Sequence, residues 1–381
     1  MFFSKIPVSA KVTALAAVGL LAGIATSWPL WNAEARAAFP ALPVWGGCLG
    51  KGPLTGMGPA ILLVLPTLSV VAFPRRKRPA ATLAGVLLLL CCIDLNRLQP
   101  WVWFYLLVLA TAIFRKKTDD TGAENALRWL LAAVYFWGGF NKLTPYFAED
   151  NFPWFCEAFA FTKPAGQHPN LGYAVALLEM SFAAGLLWKK LQPYFCWIII
   201  GFHGLIIVFL WKLNWNLVVI PWNAAMAGMV WALNSTPEEK EPGAVPANPP
   251  GAAVALAWLA PLLHFFYLWP HPLSWEMYTN TQPEATFYTE GGRITCAREI
   301  DDMWAALSFD EGTKLLLDDW ASKELRVPMF ASENTFRRIG NYLCRCAENR
   351  DSAGLYILTV CRWDRSAEKM TKIPCRELSD Q

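Results

Sequence analysis

Long apolar blocks, broken by short polar or basic stretches, dominate the first 270 residues of the chain. Nine such runs are read near 11–31, 58–73, 79–98, 100–114, 125–143, 170–188, 192–211, 215–233 and 252–269. About 17–20 consecutive apolar residues make a spanning helix, so each run is predicted to be one, the second and fourth short enough to tilt or re-enter. The first run follows Lys5 and Lys11 and precedes Asn32-Ala-Glu-Ala-Arg-Ala, a pattern shared with cleaved signal peptides. It is read as a retained helix, because the later topology works with it in place.

Basic clusters orient these runs. Arg75-Arg76-Lys77-Arg78, Arg115-Lys116-Lys117 and Lys189-Lys190 follow the second, fourth and sixth runs, and alternation puts all three on one side with Lys5 and Lys11. By the positive-inside rule that side is the cytoplasm. The N-terminus is then cytoplasmic, and the loops 32–57 and 144–169 and everything after 270 are extracytoplasmic. The predicted organisation is a helical membrane body over 1–234, a Pro-rich cytoplasmic linker over 235–251, a ninth helix over 252–269, and a separate C-terminal domain over 270–381.

That C-terminal stretch reads as a small α+β domain of ordinary size. Ala285-Thr-Phe-Tyr-Thr, Glu290-Gly-Gly-Arg and Ile294-Thr-Cys suggest a hairpin. Helices are expected from about Asp301 to Glu324, ending before Val327-Pro328, and from about Glu333 to Asn349. Leu355 to Cys361 reads as a strand.

Composition agrees with a polytopic all-α membrane protein carrying such a domain. Hydrophobic residues make up 55% of the chain and charged residues only 17%, against roughly 25% in soluble domains. The 20 tryptophans gather at run ends, where amphipathic rings settle at the headgroup level. The net charge of +3 hides +7 before residue 270 (19 basic, 12 acidic) and −4 after it (14 basic, 18 acidic). No basic tract with interleaved aromatics is present, which excludes nucleic acid as a partner; the lipid bilayer is the expected one.

Against this apolar background a few polar residues stand out. Lys142 ends the run Trp129 to Pro145, and Asp94, Arg97, Glu179, His203 and Asn223 sit at comparable depth in other runs. A charge at a helix centre in hydrocarbon costs about 2.5–3.5 kcal/mol, so such residues face a partner or a cavity. Lys142 either snorkels outward past Thr144-Pro145 or faces an enclosed slot, where a water-shielded amine can serve as a base. Gly138-Gly139 before it would admit a neighbouring helix or a flat ligand. Asp94-Leu-Asn-Arg-Leu-Gln-Pro100 makes a polar turn, read either as helix-end satisfaction or as a pocket wall carrying Asp94 and Arg97. Glu179 and His203 could hydrogen-bond across a helix interface. Asn223 either binds a ligand carbonyl or satisfies backbone freed by Pro221.

No cluster of three or four ligands is evident, so no metal site is expected. Of the ten cysteines, Cys48, Cys156, Cys296, Cys344, Cys346, Cys361 and Cys375 lie in outer loops or the C-terminal domain, where disulfides are expected if that side is oxidising. Seven is odd, so one thiol should stay unpaired or pair elsewhere. Cys344 and Cys346, two apart on a helix, are not expected to bridge each other.

The block Tyr135-Phe-Trp-Gly-Gly-Phe-Asn-Lys-Leu, the Gly201-Phe-His203 element and the polar turn Asp94 to Trp101 together resemble the HTTM superfamily, which includes the vitamin K-dependent gamma-glutamyl carboxylases. DoxX-like membrane proteins are a more distant likeness through the Gly-x-x-Lys-Leu type of element. The resemblance implies a pocket for a quinol of the menaquinone or vitamin K type, with Lys142 as the initiating base and His203 assisting. Asp94, Arg97, Gly138, Gly139, Asn141, Glu179 and Asn223 would surround the cofactor. Asn141 stands where the carboxylases have a second lysine, and their large lumenal β-rich region has no counterpart here. Two functional classes follow: a quinol-dependent carboxylase-like enzyme or oxidoreductase, and a non-catalytic subunit of a membrane protein complex whose C-terminal domain docks partners.

Overall fold

The computed structural model describes residues 6–32, 34–36, 38–48, 58–115, 120–235, 251–290, 294–296 and 313–378. Almost all of the expected 235–251 linker, the turn of the expected hairpin at 291–293, and the first half of the helix expected from Asp301 lie outside the described residues. Helix predominates (67%), with one four-stranded antiparallel sheet near the C-terminus.

Each apolar run forms a helix: α1 (Val8–Thr26), α2 (Gly58–Ala72), α3 (Lys77–Ile93), α4 (Pro100–Phe114), α5 (Asp120–Asn141), α6 (Pro169–Leu187), α7 (Gln192–Leu213), α8 (Val219–Asn234) and α9 (Ala252–His264). Only three of them, among the described residues, are long and apolar enough to cross a membrane, where the sequence predicted nine: α1, α6 and α7, with mean hydropathies of 1.8, 1.4 and 2.1. The shortfall has physical causes. Helices α2, α4 and α9 are apolar but only 15, 15 and 13 residues long, about 20–22 Å at 1.5 Å per residue against a hydrocarbon core of about 30 Å. Helix α5 has the length, but Asp120, Glu124 and Arg128 occupy its first turns.

The chain divides into two compact units. The first comprises residues 1–26, 61–88 and 99–280. Within it α1 packs against α4, α5 and α8. Gly19 and Gly23 permit this approach: a Cβ on Gly19 would come within 2.8 Å of Ala225, and one on Gly23 within 2.8 Å of the Trp101 ring. Helices α5 and α6 touch along their length. There a Cβ on Gly139 would lie 2.6 Å from the Ala176 carbonyl oxygen and 2.8 Å from Met180 Cα. Gly139 is thus a helix-packing device, the first of the two roles the Gly138-Gly139 sequence allowed.

The second unit comprises residues 27–60, 89–98 and 281–381. Its sheet runs β2 (Thr313–Leu316), β1 (Glu284–Thr289), β3 (Ala353–Cys361), β4 (Asp364–Pro374), antiparallel throughout. Strand β1 pairs Phe287 with Leu315 on one side and with Leu355 on the other. The expected hairpin between 285–289 and 294–296 does not form; Ile294 bridges Ala347 instead. The expected helix to Glu324 is likewise corrected, because residues 313–316 form β2 and only α10 (Leu317–Leu325) is helical there. Helix α11 (Glu333–Cys346) is close to expectation and begins with a reciprocal capping box between Ser332 and Thr335, which satisfies otherwise orphaned N–H groups. Phe336, Ile339 and Leu343 on one face of α11 are buried with Phe287, Leu355 and Trp320.

Two disulfides, Cys296–Cys346 and Cys344–Cys375, tie α11 to its surroundings. Cys48, Cys156 and Cys361 remain thiols, so three outer cysteines are unbridged where one was expected.

Two outcomes follow from these packings. Gly139→Ala should destabilise the helical unit by about 1–3 kcal/mol through overpacking, read as a lowered unfolding temperature in detergent. In the second unit, burial pushes the Asp318 carboxyl up to about 6, assisted by the Asp319 and Glu284 carboxylates and opposed by the Met329 N–H it accepts. A carboxyl raised on folding binds its proton more readily in the folded state, so this unit should gain stability as pH falls from about 6 toward 4. The gain should be about 2–3 kcal/mol, since each tenfold change in proton affinity is worth about 1.4 kcal/mol. Asp318→Asn, which keeps an acceptor for Met329, should flatten that slope in pH-dependent denaturant titrations; an unchanged slope would assign it to other groups.

Candidate functional site

Three of the ionisable residues that interrupt the apolar runs, Lys142, Glu179 and His203, converge within the helical unit. Lys142 follows the last turn of α5, and its side chain runs back along the helix so that Nζ donates to the Gly138 carbonyl at 3.1 Å. From there it meets Glu179 of α6, at 2.9 Å from Oε2 and 3.1 Å from Oε1. Both residues are buried. Gly138 makes room for this pair, since a Cβ there would stand 2.8 Å from Glu179 Oε1. The sequence left open whether Glu179 reaches His203. It does not do so here: both of its oxygens face Lys142, and both His203 ring nitrogens are taken by Tyr135 and Asn223.

His203 of α7 has other partners. Its Nδ1 lies 2.7 Å from Asn223 Oδ1, and its Nε2 lies 2.7 Å from the Tyr135 hydroxyl. Asn223 Nδ2 donates to the Val219 carbonyl at 2.9 Å, which turns Oδ1 toward the imidazole. A carbonyl oxygen only accepts, so Nδ1 carries the proton and Nε2 presents its lone pair to the Tyr135 O–H. The orientation of one amide thus sets the tautomer of the ring beside it. The structure gives Asn223 a role the sequence did not offer: its Nδ2 donates to the Val219 carbonyl, which is not one freed by Pro221, and its Oδ1 orients His203.

Lys142, Glu179, Tyr135, His203 and Asn223 all line one cavity of ≈ 320 Å³. Its remaining wall is apolar and aromatic, including Phe147, Phe152, Phe202, Phe209, Trp222 and Tyr278. Ligand sites commonly combine such walls with a few convergent polar groups. Tyr135 and Lys142 are seven residues apart, two turns of α5, so they share a face with a rise of about 10 Å between their Cα atoms. The wall also contains Leu178 of α6 and Leu205 of α7, which are 41% and 58% exposed on the outer surface.

Other expected site residues lie elsewhere. Asn141 donates to the Ser274 carbonyl at 2.7 Å and holds a chain segment in place. Asp94 and Arg97 are tied into the second unit and do not line this cavity. Asp94 accepts from Arg36 Nη2 at 2.6 Å, from the Leu42 N–H at 3.2 Å and from the Asn96 side chain at 3.0 Å. Arg97 donates to the carbonyls of Leu30 and Leu90 at 3.2 and 3.3 Å. Asn96 accepts from the Phe330 N–H at 3.1 Å. The polar turn thus joins two loops to the C-terminal segment, and its concentration of charge reflects that architectural task.

Tyr135 was missed as a site residue. In a chain with 23 Phe, 20 Trp and 10 Tyr one more ring on an apolar helix carries no signal. Its seven-residue spacing from Lys142, two helical turns, was the available clue.

Breaking a buried ion pair leaves an uncompensated charge and costs about 3–5 kcal/mol, whereas replacing both partners by apolar residues can be neutral. Lys142→Met should therefore lower the unfolding temperature strongly, and the double variant Lys142→Met/Glu179→Leu should recover most of the loss. A double variant no more stable than the single one would refute the pairing. Comparison with known families, with curated proteins and with solved structures finds no match to this chain.

Proposed function

We infer that the chain is a multi-pass membrane protein whose helical unit binds an isoprenoid quinone or quinol in the cavity between α5, α6, α7 and α8. The observation that carries this reading is one apolar cavity with two separate proton-handling groups on its wall, the Lys142–Glu179 pair and the Tyr135–His203–Asn223 chain. A quinoid ring offers a polar oxygen at each end of a flat apolar body, which matches that distribution. Leu178 and Leu205 line the cavity and are also exposed, which suits an isoprenoid tail that continues toward lipid. The short-block likeness to the HTTM superfamily points the same way.

The geometry supports roles that differ from the simplest expectation for Lys142. An ammonium held by both oxygens of a carboxylate is a donor and an electrostatic anchor, suited to a quinone carbonyl or a developing phenolate. Proton acceptance falls more naturally to the other group. Tyr135 would accept a proton from a bound quinol at its oxygen and pass its own to His203 Nε2, already 2.7 Å away. The imidazolium so formed keeps its Nδ1–H bond to Asn223. This is general acid–base chemistry with its partners already in hydrogen-bond reach.

Membrane placement is part of the proposal. Beyond the three helices with spanning length, exposed apolar residues on α2, α6 and α7, such as Leu65, Trp197 and Trp211, form surfaces suited to lipid, and the nine-helix order with a cytoplasmic N-terminus accommodates the basic clusters. Disulfides in the second unit support an extracytoplasmic C-terminal domain.

Protein purified in mild detergent should release about one isoprenoid quinone per chain on solvent extraction. Hydrogen bonds to charged groups contribute about 1.5–3 kcal/mol, so Lys142→Met/Glu179→Leu should reduce occupancy by roughly 10–100-fold. His203→Ala should weaken binding less and abolish any pH dependence of quinol binding. Protein that carries no quinone and takes up none when it is added in excess would end this reading and favour a non-catalytic subunit of a membrane complex.

A further inference from the structure

Past the end of α9 the chain turns back on itself and assembles a second polar cluster. Helix α9 ends at His264, and a short 3-10 turn spans His271–Ser274. Glu276 follows. Two non-glycine residues in the left-handed region, Tyr267 (φ 59°) and Trp275 (φ 60°), make the reversals, each at a cost of about 1–2 kcal/mol. Pro270 and Pro272 flank His271 and restrict its backbone. The segment is further fixed by Ser274 Oγ donating to the Pro270 carbonyl at 3.0 Å and by Asn141 donating to the Ser274 carbonyl.

The outcome is two imidazoles directed at one carboxylate oxygen. His271 Nδ1 lies 2.7 Å and His264 Nε2 3.3 Å from Glu276 Oε2. The two rings have centroids 4.2 Å apart, and the three donor atoms all lie within 4.8 Å of one another. Glu276 is 1% exposed and His264 7%, whereas His271 is 18% exposed and leaves one side approachable.

We propose that His264, His271 and Glu276 bind one divalent transition-metal ion of the zinc type. Two imidazole nitrogens and one carboxylate oxygen are a ligand set used for zinc, with a fourth position left for water or another donor. With metal–ligand bonds of about 2.0–2.1 Å, tetrahedral ligands stand about 3.3 Å apart. The His264–Glu276 edge already has that length, an ion at the centre would open the His271–Glu276 edge by about 0.6 Å, and the His264–His271 edge, within 4.8 Å, would close toward it. The site is separate from the quinone cavity but continuous with its wall, since Met277 and Tyr278, which line that cavity, directly follow Glu276. The metal would act as a clamp that holds this wall against the end of α9. The spacing His-x6-His-x4-Glu follows neither helix nor strand period, which hid the cluster from a reading of the sequence.

The test uses the full-length protein in detergent, dialysed against a chelator and titrated with Co²⁺. Visible d–d absorption should saturate at one equivalent per chain, with an accompanying rise in unfolding temperature. Zn²⁺ should displace the Co²⁺ signal. His271→Ala and Glu276→Gln should each weaken uptake by at least ~10-fold, the lower end of what even outer-shell changes cost. Wild-type protein that shows no such absorption overturns the proposal without reference to any variant. An intense near-ultraviolet thiolate band would also overturn it, because it would put the ion on cysteine, as would full uptake by His271→Ala. Metal content is measured independently of quinone content, so either reading can fail alone.

Discussion

The carboxylate of Glu179 closes on the ammonium of Lys142 in the apolar interior of the helical unit, and the cavity depends on that pair being possible at all. Two unpaired charges at this depth would each be costly; paired and hydrogen-bonded to the Gly138 carbonyl, they are tolerable. The pairing in turn requires α5 and α6 to approach at backbone distance, which Gly139 allows, and space beside the carboxylate, which Gly138 leaves. Small residues, close helices, a buried ion pair and a polar-ended cavity are therefore successive consequences of one local sequence, Gly-Gly-Phe-Asn-Lys.

The helices and four of the five polar groups of the cavity were legible before the structure. Long apolar runs have few folding options, and Lys142, Glu179, His203 and Asn223 stand out because their desolvation demands an explanation. Their pairing was not legible, since it depends on which faces of α5, α6 and α7 meet. Asp94 and Arg97 were equally conspicuous and turned out to serve the second unit: unusual burial marks a residue as partnered without saying for what purpose.

The C-terminal segment was harder to read for physical reasons. Strand β4 (Asp-Arg-Ser-Ala-Glu-Lys-Met-Thr-Lys-Ile-Pro) lies at the sheet edge with most residues exposed, so it lacks the alternation that marks a half-buried strand. Strand β2 pairs across an intervening stretch with a strand some 25 residues earlier, a non-local choice no short window reveals. The turn holding His264, His271 and Glu276 relies on left-handed backbone at Tyr267 and Trp275, positions where neither residue type signals a turn.

Helix α11 offers a mechanical consequence. Residues two apart on an α-helix point about 200° from each other at 3.6 residues per turn, so Cys344 and Cys346 carry their covalent links away from opposite flanks. One such link would act as a pivot, leaving the helix able to roll about its long axis. Two on opposed flanks remove that degree of freedom and fix which side of the cylinder meets the sheet.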